Sequence, residues 1–149
     1  MISQEYIDAL KKINEKLKNS GIWWAVIGKT NLALHGINLT PSHLGIIFKN
    51  KDLHKFLELF SEYKSSHIEL LPNKEAEEFY LFLGNVEVLV CAEHSYGTYF
   101  TIKQDIEEIK IDDFSINVYS LKSELSAYRN LGLDEPARVI EDFLESAKK

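Results

Sequence analysis

Ile7, Leu10, Ile13 and Leu17 recur every three or four residues near the start of the chain. That spacing gathers apolar side chains on one face of a helix. Ser3 stands where an N-cap hydroxyl accepts from the first turn, and Gly21 where such a helix can stop. The pattern then changes. IWWAVI, residues 22 to 27, is short, aromatic and β-branched between two glycines, and predicts a buried strand. TNLALH predicts a short helix that stops at Gly36. Pro41 marks a connection, because it has no N–H for a sheet ladder. LGIIF, residues 44 to 48, predicts a second strand.

A helix is expected from Asp52 to Tyr63, with Leu53, Phe56, Leu57 and Phe60 on its apolar face. HIELL is a third strand candidate. EFYLFL and VEVLVCA flank Gly84-Asn85, a hairpin signal, and IEEIKI and FSINVY flank Asp112-Asp113, a second one. Ser120 can cap a helix that runs to Leu131, with Gly132 ending it, and Pro136 fits the first turn of a last helix. Ile140, Phe143, Leu144 and Ala147 give that helix its stripe. The expected fold is α+β, a mixed sheet flanked by helices. The expected organisation is a single domain over residues 1–149, since no linker, repeat or low-complexity segment interrupts the pattern.

Composition narrows the function classes. The formal net charge of -6 argues against broad nucleic-acid binding, which depends on neutralising phosphates with Lys and Arg. Cys91 is the one cysteine, so no intrachain disulfide or cysteine zinc cluster is expected, and the histidines show no ligand spacing. The start, MISQEYIDALKK, is charged and amphipathic and lacks the apolar centre of a signal peptide. No apolar run is long enough to span a bilayer. A cytoplasmic protein with no membrane partner is expected.

Chemistry concentrates in IWWAVIGKTNLALHGINLTPSHLGIIF, residues 22 to 48. A buried strand runs into a glycine turn, a short helix, a second glycine and another strand. Here the chain resembles the nucleotidyltransferase superfamily, and most of all the small archaeal nucleotidyltransferase-domain proteins. YSLKSELSAYRNLGLDEPARVIEDFL resembles the family's helical C-terminal end. In that family the first strand ends in Gly-Gly or Gly-Ser, which holds phosphates. The second strand carries Asp-x-Asp, and a third acid comes from a neighbouring strand. Residues two apart in a strand project to one face. Three such carboxylates can hold two divalent cations, which activate an attacking hydroxyl and stabilise the leaving pyrophosphate.

By this resemblance Gly28, Lys29 and Thr30 are the candidate ligand-binding residues. His43 and Gly45 fall on the acidic pair, and Glu87 on the third acid. One acid of three is present, so these catalytic positions are degenerate. Gly45 leaves room on the strand face for a ligand or a partner's backbone to approach. Thr30 is expected to cap the short helix, and Lys29 to meet a phosphate or solvent. No other acidic pair substitutes: Glu75 and Glu77 lie ahead of the hairpin, and Glu107-Glu108 and Asp112-Asp113 are adjacent and face opposite ways. Trp23, Trp24, Tyr96, Tyr99 and Phe100 are read as core before base-stacking groups, and His35 and Cys91 as interior residues.

Two functions are expected to compete. One is a catalytically inactive nucleotidyltransferase-fold protein acting as a ligand- or protein-binding module, with no cofactor. The other is an active enzyme that uses magnesium to move a nucleoside monophosphate from a nucleoside triphosphate to a hydroxyl. A nucleotide and a protein partner are the candidate ligands; the resemblance implies work beside a helical partner. Restoring the pair by His43→Asp with Gly45→Asp is expected to rebuild metal binding if the cleft is intact.

Overall fold

The computed structural model describes residues 2–71, 76–95, 97–101 and 105–148. The first helix, α1 (Gln4–Leu17), begins where Ser3 accepts from the Tyr6 N–H at 3.3 Å and buries Leu10, Ile13 and Leu17. It stops at Lys18, earlier than Gly21 suggested. Asn19 takes a left-handed φ of 66° and Gly21 one of 83°, so the chain turns twice before the first strand. That strand, β1 (Trp24–Ile27), begins two residues later than expected, at the Trp24–Phe48 pair.

A short helix, α2 (Gly28–Leu34), follows without a loop. Next come β2 (Leu44–Lys49), a 3-10 turn (Asn50–Asp52) and α3 (Leu53–Leu59). The third helix is thus shorter than its apolar pattern. Beyond Phe60 the chain turns into β3 (Lys64–Ser65), a two-residue strand with no sequence signal. The sheet continues through β4 (Glu69–Leu71), β5 (Ala76–Leu83) and β6 (Val86–Glu93). A one-turn helix, α4 (Thr98–Thr101), precedes β7 (Ile106–Ile111) and β8 (Phe114–Tyr119). The chain closes with α5 (Leu121–Asn130), capped by Ser120 on the Ser123 N–H, and α6 (Asp134–Ala147). Glu75 and Tyr96 lie outside the described residues.

All strands form one mixed sheet of order β3-β5-β6-β2-β1-β8-β7, with β4 also on β5. The β2–β6 and β1–β8 pairs are parallel and the others antiparallel. The central strands β1 and β2 are buried on both faces, which is why they read as continuous apolar runs. One face carries Trp24, Val26, Ile46, Phe48, Val88 and Val90, and α1 and α3 cover it with Leu10, Ile13, Phe56 and Phe60. The other carries Ala25, Ile27, Ile47, Cys91 and Tyr119 under Tyr99 of α4 and Ala127 of α5. A third cluster joins α2, α5 and α6 through Leu32, Leu121, Tyr128 and Ile140. The two tryptophans serve opposite faces: Trp24 packs in the first cluster and Trp23 against the second. Among the described residues no helix is long and apolar enough to cross a membrane.

Candidate functional site

The turn at the end of β1 is built from Gly28, whose φ of 74° suits a residue without a side chain. Its N–H donates to Oε1 of Glu124 at 2.9 Å. Lys29 is exposed beside it. Thr30 is fully buried, inside α2 rather than at its cap. Its hydroxyl donates to the His43 carbonyl at 3.0 Å and accepts from the Gly45 N–H at 3.4 Å. The hydroxyl therefore ties α2 to the start of β2, while the cap position falls on Ile27, which makes no side-chain capping bond.

His43 sits one residue before β2, half-buried. Its Nδ1 lies 3.3 Å from the Ser42 hydroxyl, and its ring meets Tyr80 edge-on at 6.1 Å. The parallel register sets Gly45 beside Leu89 and Leu44 beside Val88. By strand alternation, His43 and Glu87, each two residues earlier, fall at the same end of β2 and β6 as neighbours. Glu87 is exposed and opposes Phe82.

Gly45 departs from expectation. It does not open the strand face, because its own chain fills the space. A Cβ there would lie 2.7 Å from the Ile27 carbonyl oxygen and 3.5 Å from an Ile27 side-chain carbon. The backbone of β1 approaches so closely that glycine is required. An aspartate at this position is therefore excluded by packing as the strands stand.

The enclosed space beside Gly28 lies elsewhere. A cavity of about 120 Å³ is lined by residues that include Ile27, Gly28, Glu78, Leu89, Cys91, Glu93, Tyr99 and Tyr128. Its β6 residues lie two, four and six positions beyond Glu87, and neither His43, Gly45 nor Glu87 lines it. Glu93 is buried, and its Oε1 accepts the Phe100 N–H at 2.9 Å. Gly97 allows that approach, since a Cβ there would lie 2.2 Å from Glu93 Cγ.

Under this cavity lies the buried polar centre of the molecule. Glu124 of α5 is fully buried. Besides the Gly28 N–H, its Oε1 accepts from Asn31 Nδ2 at 3.0 Å, and its Oε2 accepts from the Tyr99 hydroxyl. Asn31 also donates to the Tyr119 carbonyl at 2.8 Å. One carboxylate thus joins the β1 turn, α2, α4 and, through Asn31, β8. The buried Tyr119 hydroxyl has no hydrogen-bond partner among the described residues.

Burial pushes the Glu124 carboxyl above its ordinary value, and the bonds from Tyr99, Asn31 and Gly28 pull the other way. Burial, then the Glu124 charge, raises the Tyr99 hydroxyl well above its ordinary value. Burial also raises the Tyr119 hydroxyl, with Glu93 and Glu124 adding to it.

The Glu124 shift predicts a pH dependence. The native state holds this proton more tightly than the unfolded chain does. Its contribution to stability is fully present below the unfolded carboxyl value and is lost as pH rises through the raised native value. Urea unfolding from about pH 4 to about pH 7 should therefore show wild type losing stability relative to Glu124→Gln as pH rises above the ordinary value of 4.5. A difference that stays constant, or changes the other way, contradicts the shift.

Glu124 was not among the sequence candidates, although a signal was there. In LKSELSAYRN it stands three residues after Leu121 and four before Tyr128, a carboxylate on the buried stripe of its helix. Charged residues are rarely fully buried without partners. Asn31 and Glu93 had no comparable local mark.

No family model matches the sequence, and no curated protein matches it. Solved structures do. A crystal structure of a proposed nucleotidyltransferase from Thermotoga maritima superposes with a TM-score of 0.74 at 23% identity, covering 98% of this chain and 96% of that one. This chain has a nucleotidyltransferase-like fold. The lincosamide antibiotic adenylyltransferase LnuA, solved with lincomycin bound, matches with a TM-score of 0.55 at 12% identity, over 88% of this chain and 97% of that one. At such identities the likeness is one of fold, and the nucleotidyltransferase-like fold leaves the chemistry to the site.

Proposed function

We propose that this chain is a catalytically inactive nucleotidyltransferase-fold protein that serves as a ligand- or protein-binding module. One observation carries the reading: the carboxylate of Glu124 already holds the Gly28 N–H. That N–H belongs to the turn where the sequence resemblance, closest to the small archaeal members, would seat a phosphate. The Glu124 carboxyl oxygen there already takes the donor that an incoming phosphate would need.

The residues at the metal positions do not fit a pair of magnesium ions. Magnesium takes oxygen ligands. His43 offers ring nitrogens, Gly45 has no side chain and no room for one, and Glu87 is one exposed carboxylate.

The test uses the purified protein with labelled nucleoside triphosphates, magnesium or manganese, and mixed RNA or protein acceptors. No label transfer is expected. Transfer that disappears on mutating Glu87 would establish the enzyme reading instead. Thermal melting with the same triphosphates, with and without magnesium, separates nucleotide binding from protein binding, since a ligand of the native state raises the melting temperature.

A further inference from the structure

The sheet ends at β7, whose outer side has no strand beside it among the described residues. The Ser120 N–H donates to the Asp105 carbonyl at 2.8 Å, a bonded pair at the start of the β7–β8 ladder. Bonded and non-bonded pairs alternate along an antiparallel ladder. With the observed register, Glu107, Ile109 and Ile111 turn their amides toward β8. Ile106, Glu108 and Lys110 turn theirs outward, where no strand among the described residues receives them.

We propose that this edge pairs with β7 of a second copy of the chain, antiparallel, with Glu108 opposite Lys110 and Ile109 opposite its own symmetry mate. Symmetry and charge select that register. A two-fold axis that pairs one strand with itself antiparallel stands perpendicular to the sheet, so one residue lies on the axis facing itself. Centring on Glu107, Glu108 or Lys110 would set like charges opposite each other, which is unfavourable.

Centring on Ile109 places an apolar pair on the axis. It also sets Glu108 opposite Lys110 twice, as bonded pairs that use the outward amides of both residues. Glu108 and Lys110 are exposed, and among the described residues neither has an ion-pair partner. Edge strands are commonly protected by charges. The order of charges here is instead self-complementary. The proposal does not rest on the functional reading above.

A single strand edge buries less than a standard interface of ~1,600 Å², so the dimer should dissociate on dilution. Sedimentation equilibrium should give a mass near twice 17.2 kDa at high concentration and 17.2 kDa at low concentration. Glu108→Lys alone and Lys110→Glu alone each place like charges opposite, and each should weaken association ~10-fold or more. An equimolar mixture of the two variants restores opposite charges at both pairs and should recover the dimer. Lys110→Pro removes an outward N–H and leaves the β8 ladder intact, so it should give a folded monomer by circular dichroism and sedimentation.

Wild type that stays monomeric at every concentration overturns the proposal. So does a dimer that none of these variants weakens, or a pair of single variants that do not associate when mixed.

Discussion

Glu124→Ala is expected to lower stability by about 3 kcal/mol or more, and the melting temperature by roughly 6–12 °C for a chain of this size. The substitution removes one carboxylate but strands three donors: the Gly28 N–H, Asn31 Nδ2 and the Tyr99 hydroxyl. A buried donor left without an acceptor costs about 1–3 kcal/mol, and the alanine also leaves a void. Asn31 keeps its second bond, to the Tyr119 carbonyl, which limits its share. Glu124→Gln keeps the oxygen that Gly28 and Asn31 use, and the Tyr99 hydroxyl can turn to accept from the new amide. It should retain most of the stability at neutral pH, because the hydrogen-bonded network stays satisfied without burying an ionisable carboxyl. Denaturant unfolding of both variants checks the claim. Alanine and glutamine with equal, small effects would mean that the network does not hold the β1 turn.

Gly45→Asp is expected to destabilise the protein by about 2 kcal/mol or more, and His43→Asp with Gly45→Asp is not expected to rebuild a metal site. A Cβ at residue 45 would lie 2.7 Å from the Ile27 carbonyl oxygen, a backbone atom at the closing pair of the β1–β2 ladder. A backbone contact cannot be relieved by a rotamer change, so either strand must move. The Thr30 hydroxyl bonds on both sides of the same junction, at His43 and Gly45. Gly45→Ala isolates the steric part and should cost about 1–3 kcal/mol by itself. Isothermal titration with magnesium tests the double variant. Metal binding by a folded double variant would show that the strands yield and that the position was a lost ligand.

Most element types were legible locally because the physics behind them is local. Ser3 and Ser120 act as N-caps, Gly84-Asn85 closes the β5–β6 hairpin, and the apolar runs of β1 and β2 become strands buried on both faces. Where the reading missed, pairing decided. The two-residue β3 exists because β5 offers Phe82 and Leu81 as partners, and α3 ends early because the chain must turn back to reach them. One turn of helix, as in α4, gives no periodicity to detect.

The site divides the same way. Sequence alone marked the Gly28 turn and, by resemblance, named His43, Gly45 and Glu87 as candidates, because such readings depend on residue type and spacing along short segments. Tertiary structure decided what those positions can do. Gly45 is held by the carbonyl of a strand that spacing cannot measure, and Thr30 bonds across to β2 instead of capping its helix. The Gly28 N–H is taken by a carboxylate 96 positions away in the chain. A hydrogen-bond partner so distant leaves no trace in local periodicity, since only folding brings α5 against the end of β1.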